Sequence, residues 1–260
     1  DHVFANNSWS TIRQASYENI AKDLLKIGDK KRIRLSGAIA TRNINMDVNA
    51  VIIGINHNEA LEGQAIHFAL ENLNGRLIAL TDIDGIYGTS YTQGHSELFR
   101  MNATETNVGG WSGSVMCKTI CQKFGDSILP SDLRAVLKEV TKYTDCTGNL
   151  SFKPSDVKPY KAKVTLPAMY EIQDSSVSSN VNSAEKSKQQ RYGYFNPSPP
   201  WGFKSIVNAF DTTRDVNIWT RSPQYSPTQF GLILYDYLTP GQPSFASAHF
   251  SYGFVPIFFV

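Results

Sequence analysis

Cysteine is scarce in this chain, apolar runs are short, and neither sign of charge dominates. Cys117, Cys121 and Cys146 are three thiols in 260 residues, too few and odd in number for a disulfide scaffold. They suit a protein that folds reduced, such as a viral protein assembled in a bacterial cytoplasm. The longest apolar runs, 51–55 and 254–260, are strand-sized, so no membrane insertion is expected. A net charge of +2 with scattered Lys and Arg offers no track for phosphates, so nucleic acid is not expected as a partner. Neither glycine-rich nucleotide loop occurs, and no cofactor is expected.

What the chain does contain is the material of a folded core. An apolar fraction of 41% against 18% charged residues is enough to offset the entropy of ordering the backbone. At this length one large domain or two intimate lobes are both open. We expect a single composite domain over 1–260, with an N-terminal lobe of about 1–150 and a C-terminal display lobe of about 151–260. Asp1 in place of Met reads as a processed form or an excised fragment.

Trp9, Ile12, Ile20 and Leu24 recur at roughly helical spacing after Ser8, a natural cap, so one or two short helices are expected there. Alternation over 32–39 and the apolar run 50–55 predict strands, and Asn74-Gly75 between 65–70 and 76–80 predicts a hairpin. Helical spacing recurs at Val115, Met116, Thr119, Ile120 and Phe124. It returns at Leu133, Val136, Leu137 and Val140, where Ser131 offers a cap and Lys138 and Lys142 suit a C-terminal end. A further helix is expected over 184–194, after a polar loop, with irregular chain over 196–200. Strands are expected over 216–220, 229–237 and 253–260. Strands flanking central helices indicate α+β, with the two ends of the chain pairing in one sheet.

Few groupings suggest chemistry. His57 and His67 with Glu59 and Glu62 contain the parts of a metal or acid–base site, but their spacing does not match the helical His-Glu-x-x-His pattern. A hydrogen-bonded structural role for His67 and a turn role for His57 with Asn58 are favoured. Cys117 and Cys121 share a helical face and read as core. Asp82-Ile83-Asp84-Gly85 opens like a calcium loop but places its glycine too early, and Gly110-Trp111-Ser112-Gly113-Ser114 misses the nucleophile-elbow pattern. No metal site and no catalytic residues are expected. The segment 221–253 differs in kind: its tyrosines offer rigid amphipathic area and its Ser and Gln adaptable hydrogen bonds.

Trp219-Thr220-Arg221-Ser222-Pro223, Phe230 and the closing Gly253-Phe254-Val255-Pro256-Ile257-Phe258 resemble the ending of a W-x-R-S-P domain family of Gram-positive surface proteins and prophage tails. The likeness extends through Trp9, Ile27-Gly28-Asp29, 52–58, Gly63, Ile66-His67-Phe68, Met101-Asn102, Asn107 and Gly109-Gly110-Trp111. It continues through 129–133, 141–145, Asn182-Ser183-Ala184-Glu185 and Gln189-Gln190-Arg191-Tyr192. The ending is also similar to C-type-lectin-like domains, including phage tropism determinants and retroelement variable proteins. That resemblance implies a C-type-lectin-like display scaffold with paired terminal strands in a mixed sheet. Phe230-Gly231 and Phe258-Phe259 stand where the family often has Phe-Cys, and the carbohydrate-binding pairs of calcium-dependent lectins are missing. Every Cys precedes Gly148, unlike the late Cys pair of formylglycine-generating oxidases.

The expectation is a non-enzymatic adhesin or receptor-binding module of a phage or prophage tail tip, or of a cell surface. It would recognise a host-surface glycan or protein through Tyr225, Thr228, Gln229, Tyr235, Tyr237, His249 and Tyr252. Trp9, Trp111, Trp219, Arg221 and Pro223 are assigned to structure, Arg221 through hydrogen bonds to loop carbonyls. Partners among other tail or surface proteins, and a homo-oligomer, are compatible with this reading. An architectural assembly protein and a surface glycan hydrolase are the alternatives.

Overall fold

The computed structural model describes residues 1–82, 98–173, 180–198, 202–235 and 241–260, and it is mixed α+β. Ser8 caps α1 (Trp9–Tyr17) by accepting the Thr11 amide hydrogen at 3.1 Å, and the helix buries Trp9, Ile12, Ala15 and Ser16. After the single turn of α2 (Ala21–Leu24) come the long antiparallel strands β1 (Lys30–Ile39) and β2 (Arg42–Ile55). The short helix α3 (Glu59–Glu62) leads into β3 (Ile66–Glu71) and β4 (Leu77–Ala79), which form the hairpin expected around Asn74-Gly75. Gly75 has a φ of +80°, the left-handed value that this turn needs.

The middle of the chain departs from the helical expectation. A one-turn α4 (Gly110–Gly113) precedes two π-helical segments, Met116–Cys121 and Phe124–Ile128. Then α5 ends early, spanning only Ser131–Arg134, and its N-cap is Pro130, not Ser131, with no side-chain cap bond there. Val140–Asp145 is not helix but strand β5, paired with β6 (Val157–Ala162). Val140, Thr141, Tyr143 and Thr144 give it strand-favouring content, and its pairing with β6 outweighs a 3.6-residue spacing read over a short window. Lys142 therefore points inward and is fully buried.

Next come β7 (Val164–Thr165), the single turn α6 (Met169–Ile172), and one 3-10 turn at Ser183–Glu185. That turn stands where a helix over 184–194 was expected, because the side chains of Glu185, Gln189 and Tyr192 are drawn into interior hydrogen bonds. The remaining strands are β8 (Ile206–Asn208), β9 (Asp211–Asp215), β10 (Ile218–Pro223), β11 (Gln229–Leu234), β12 (Gln242–Ser247) and β13 (Ile257–Phe259).

The main sheet runs β1-β2-β3-β4-β8-β9, with β13 inserted between β3 and β7. Strands from both halves of the chain thus share one sheet. The last strand does not pair with the first: β13 lies against His67 and Phe68, and β1 has β2 as its strand neighbour. The chain ends still meet, since the Ser16 hydroxyl donates to the Val260 carbonyl at 2.9 Å.

Core packs on both faces of this sheet. Ala50, Ile52, Phe68 and Phe258 join one apolar cluster with Trp9, Trp111 and Trp219. Val51, Ile53, Ala69 and Phe259 join another with Ile172, Tyr192 and Tyr235. Parity along each strand decides the face, so His67 and Glu71 share the second face with Ala69. Among the described residues no helix is long and apolar enough to cross a membrane.

Candidate functional site

Of the seven residues expected to form a ligand face, the six described ones differ widely in exposure. Tyr225 is 54% exposed, while Thr228, Gln229, His249 and Tyr252 are half-buried. Tyr235 is a correction: only 2% exposed, it belongs to the second core cluster, and its burial pushes the phenol pKa well up. By residue type alone the sequence could not separate it from surface tyrosines, because its burial comes from packing into the second core cluster. Tyr237 lies outside the described residues. Tyr252 packs edge-on against the Trp219 indole at 5.1 Å, a supporting contact.

Thr228, Gln229 and His249 do come together, beside residues that were not singled out. The Ala248 amide donates to the Thr228 carbonyl at 2.8 Å, and Gln229 stands opposite Ser247 in the β11–β12 register. The Ser247 hydroxyl lies 2.8 Å from Nδ1 of His249 and donates to the exposed Glu105 carboxylate at 3.1 Å.

Tyr225 belongs to an adjoining cluster of three loops held by Asn107, which is fully buried. Its Nδ2 donates to the carbonyls of Gln224, Ser226 and Gln229 at 2.5–3.0 Å, and its Oδ1 accepts from the Asn149 amide at 2.8 Å. The Asn107 amide donates to Pro227 O at 2.8 Å, so one residue ties the segments 103–110, 145–156 and 224–229 together. Gly148 is required where the loops touch: at φ +62° a Cβ there would lie 2.1 Å from the Asn107 carbonyl oxygen.

Two aspartates stiffen the middle loop. Asp145 accepts from the amides of Thr147 and Gly148 at 2.8 and 2.9 Å. Asp156 accepts from Thr147 Oγ1, Ser151 Oγ and the Lys153 amide at 2.6–2.9 Å. Burial pushes the Asp156 carboxyl upward, but the Ser151 and Thr147 hydroxyls outweigh it and hold the group below the ordinary range. On this frame stand Val108, Leu150 and Tyr225, 56%, 47% and 54% exposed, with Phe152 5.0 Å from the Tyr225 ring. Leu150 has a φ of +65°, costly for a residue with a branched side chain and held here by the surrounding hydrogen bonds. The Asn and Gly residues of 145–149 signal a tight loop in the sequence. Nothing local marks Leu150 or Val108 as displayed.

A second grouping is wholly internal. His57, Glu62 and His67 place potential ligand atoms within 4.8 Å of one another. The bulge at Gly54 makes room for it, since a Cβ there would lie 3.0 Å from His57 Cβ and 3.3 Å from the Tyr192 ring. His57 stacks on Tyr192 at 3.8 Å, and the Tyr192 hydroxyl lies 2.7 Å from His67 Nδ1. Both ring nitrogens of His57 and Nε2 of His67 have no hydrogen-bond partner. The protein supplies its own cation to this trio: Lys142 Nζ donates to Glu62 Oε2 at 2.7 Å and to Tyr192 at 3.0 Å.

Lys142 also pairs with Glu171 Oε1 at 2.8 Å, and Glu171 forms a two-pronged pair with Arg221 at 2.6 and 2.8 Å. Arg221 further donates to the Leu166 carbonyl at 2.7 Å, in keeping with its expected structural role. Burial pushes the Glu171 carboxyl upward, yet Arg221 and then Lys142 hold it far below the ordinary range. Burial, with Lys142 and His57 adding to it, drives His67 well below the usual imidazole value, so it stays neutral. Ser222 then links to Glu185, which accepts from Thr144 Oγ1, the Asp145 amide and Gln189 Nε2 at 2.7–3.1 Å. This network gathers residues of α3, β5, α6, the turn at Ser183–Glu185 and β10. Its convergence was not legible, because the partners come from separate parts of the chain.

No family model matches the chain, and neither the curated proteins nor the solved structures contain a significant match to it.

Proposed function

We propose that this protein is a non-enzymatic binding module, an adhesin or receptor-binding component of a phage tail or cell surface, on a C-type-lectin-like scaffold. Its ligand is a host-surface glycan or protein. The observation that carries the reading is the Asn107 loop cluster, where a rigid hydrogen-bonded frame holds Tyr225, Leu150 and Val108 out to solvent. Displayed aromatic and aliphatic side chains on a preorganised frame lose little entropy on binding. Glu105, Ser226, Thr228, Gln229, Ser247 and His249 supply adjacent polar groups for orientation. The internal cluster is poorly suited to a polymeric substrate, since Lys142, Glu171, Arg221 and His67 are fully buried.

The test is binding of the chain to host cells or isolated envelope. Tyr225→Ala combined with Phe152→Ala should reduce binding at least tenfold, while Tyr17→Ala, at a residue 79% exposed elsewhere, should not. Equal binding by all three proteins would overturn the reading. Assembly with purified tail or surface proteins, without cell binding, would favour the architectural alternative.

A further inference from the structure

We propose that Lys142 and Glu62 condense into an internal amide that covalently ties β5 to α3. The ammonium nitrogen already lies 2.7 Å from Glu62 Oε2 and 2.8 Å from Glu171 Oε1, and all three side chains are at most 1% exposed. The rings of Tyr192 and Phe259 stand 5.3 and 5.7 Å from the nitrogen, so the pair lies against aromatic walls. Holding the two groups in contact supplies an effective concentration that no intermolecular encounter reaches.

The groups needed for proton movement are present. One ammonium proton passes to the Glu62 carboxylate, and the free amine attacks Cδ. A second N–H proton moves through the Tyr192 hydroxyl, 3.0 Å from Nζ, to His67 Nδ1, 2.7 Å beyond it. His67 Nδ1 lies 3.9 Å from Glu62 Oε2 and returns that proton to the departing oxygen. The Cδ–Oε2 bond breaks, the Nζ–Cδ bond remains, and one water leaves. Ammonium plus carboxylate becomes amide plus water, with no oxidant, reductant or co-reactant. Glu171, clamped by Arg221, positions the amine. The reaction rests on the internal cluster and is independent of the proposed surface function.

Intact-mass measurement on the purified full chain should give a value lower than the sequence mass by one water. Proteolysis should then yield a branched peptide joining Lys142 to Glu62. Lys142→Arg, which retains a cation but cannot condense in this way, should restore the mass calculated from its own sequence. Tyr192→Phe should leave a larger uncondensed fraction. A wild-type chain of full sequence mass, with Lys142 and Glu62 in separate peptides, overturns the proposal whether or not the variants fold. A mass deficit located elsewhere overturns it equally.

Discussion

The internal ion network and the Asn107 loop cluster are built alike and serve different ends. In each, a few polar side chains reach across long sequence separations to satisfy groups that burial would otherwise leave unpaired. Around Glu171 the partners are charged and sealed from water, so every hydrogen bond is spent inside. Around Asn107 the partners are backbone carbonyls and amides of surface loops, and the side chains left over face solvent. The network joins core elements, whereas the cluster holds surface loops to one another. A buried asparagine beneath exposed side chains is therefore a better pointer to recognition than a charge cluster sealed from water.

Removing one charge should separate the regions most strongly. Glu171→Ala leaves the buried Arg221 without its paired carboxylate, and it should cost ~3–5 kcal/mol in urea unfolding, enough to prevent folding in a marginal protein. Asn107→Ala should cost less, about 1–3 kcal/mol, because it strips hydrogen bonds from neutral carbonyls. Its loss of ligand binding should exceed what that destabilisation explains, since three loops lose their common tie. Equal effects of the two changes on binding and stability would collapse the distinction.

Acid should also act on the regions in sequence. His67 is held below the ordinary imidazole value in the fold, so as pH falls past about 6.5 the unfolded chain takes up a proton that the folded chain refuses. Stability should therefore fall from pH 7.5 toward pH 5 in urea titrations, and His67→Gln should flatten that slope. Asp156 acts with the same sign in a more acidic window: its folded carboxyl is held low, so its contribution is present above the unfolded carboxylate value and lost as pH falls through the folded one. Amide exchange of the 145–156 loop should thus accelerate only under more acidic conditions than those that weaken the core. The smallest stability effect is expected for Tyr225→Ala, within about 0.5 kcal/mol, since its side chain projects from the surface. A larger loss would make the tyrosine a packing residue and weaken its assignment to the ligand face.

Legibility tracked the range of the interactions. Ser8 before Trp9 and Asn74-Gly75 between apolar runs act over a few residues, and the cap and hairpin formed as expected. Leu133, Val136, Leu137 and Val140 fit a helix by spacing, but the pairing of β5 with β6 overrode it, a non-local gain that spacing does not contain. Similarly, Ser183 begins a turn and not a long helix, because Glu185 and Gln189 find partners around 143–145. At the candidate ligand face, Tyr225 was legible by type, whereas Tyr235 has the same chemistry and the opposite exposure. Val108, Leu150 and Phe152 were missed because exposure depends on which loops meet.

Local residue chemistry was sufficient for the mixed α+β character, the first helix, the hairpin and the strand-sized apolar runs, since propensity, caps and turn residues act on neighbouring backbone. Packing alone determined that Lys142 faces two carboxylates and that Asn107 gathers three loops. Those arrangements depend on desolvation and pairing between groups tens to more than a hundred residues apart, where a side chain's environment is created by the fold itself.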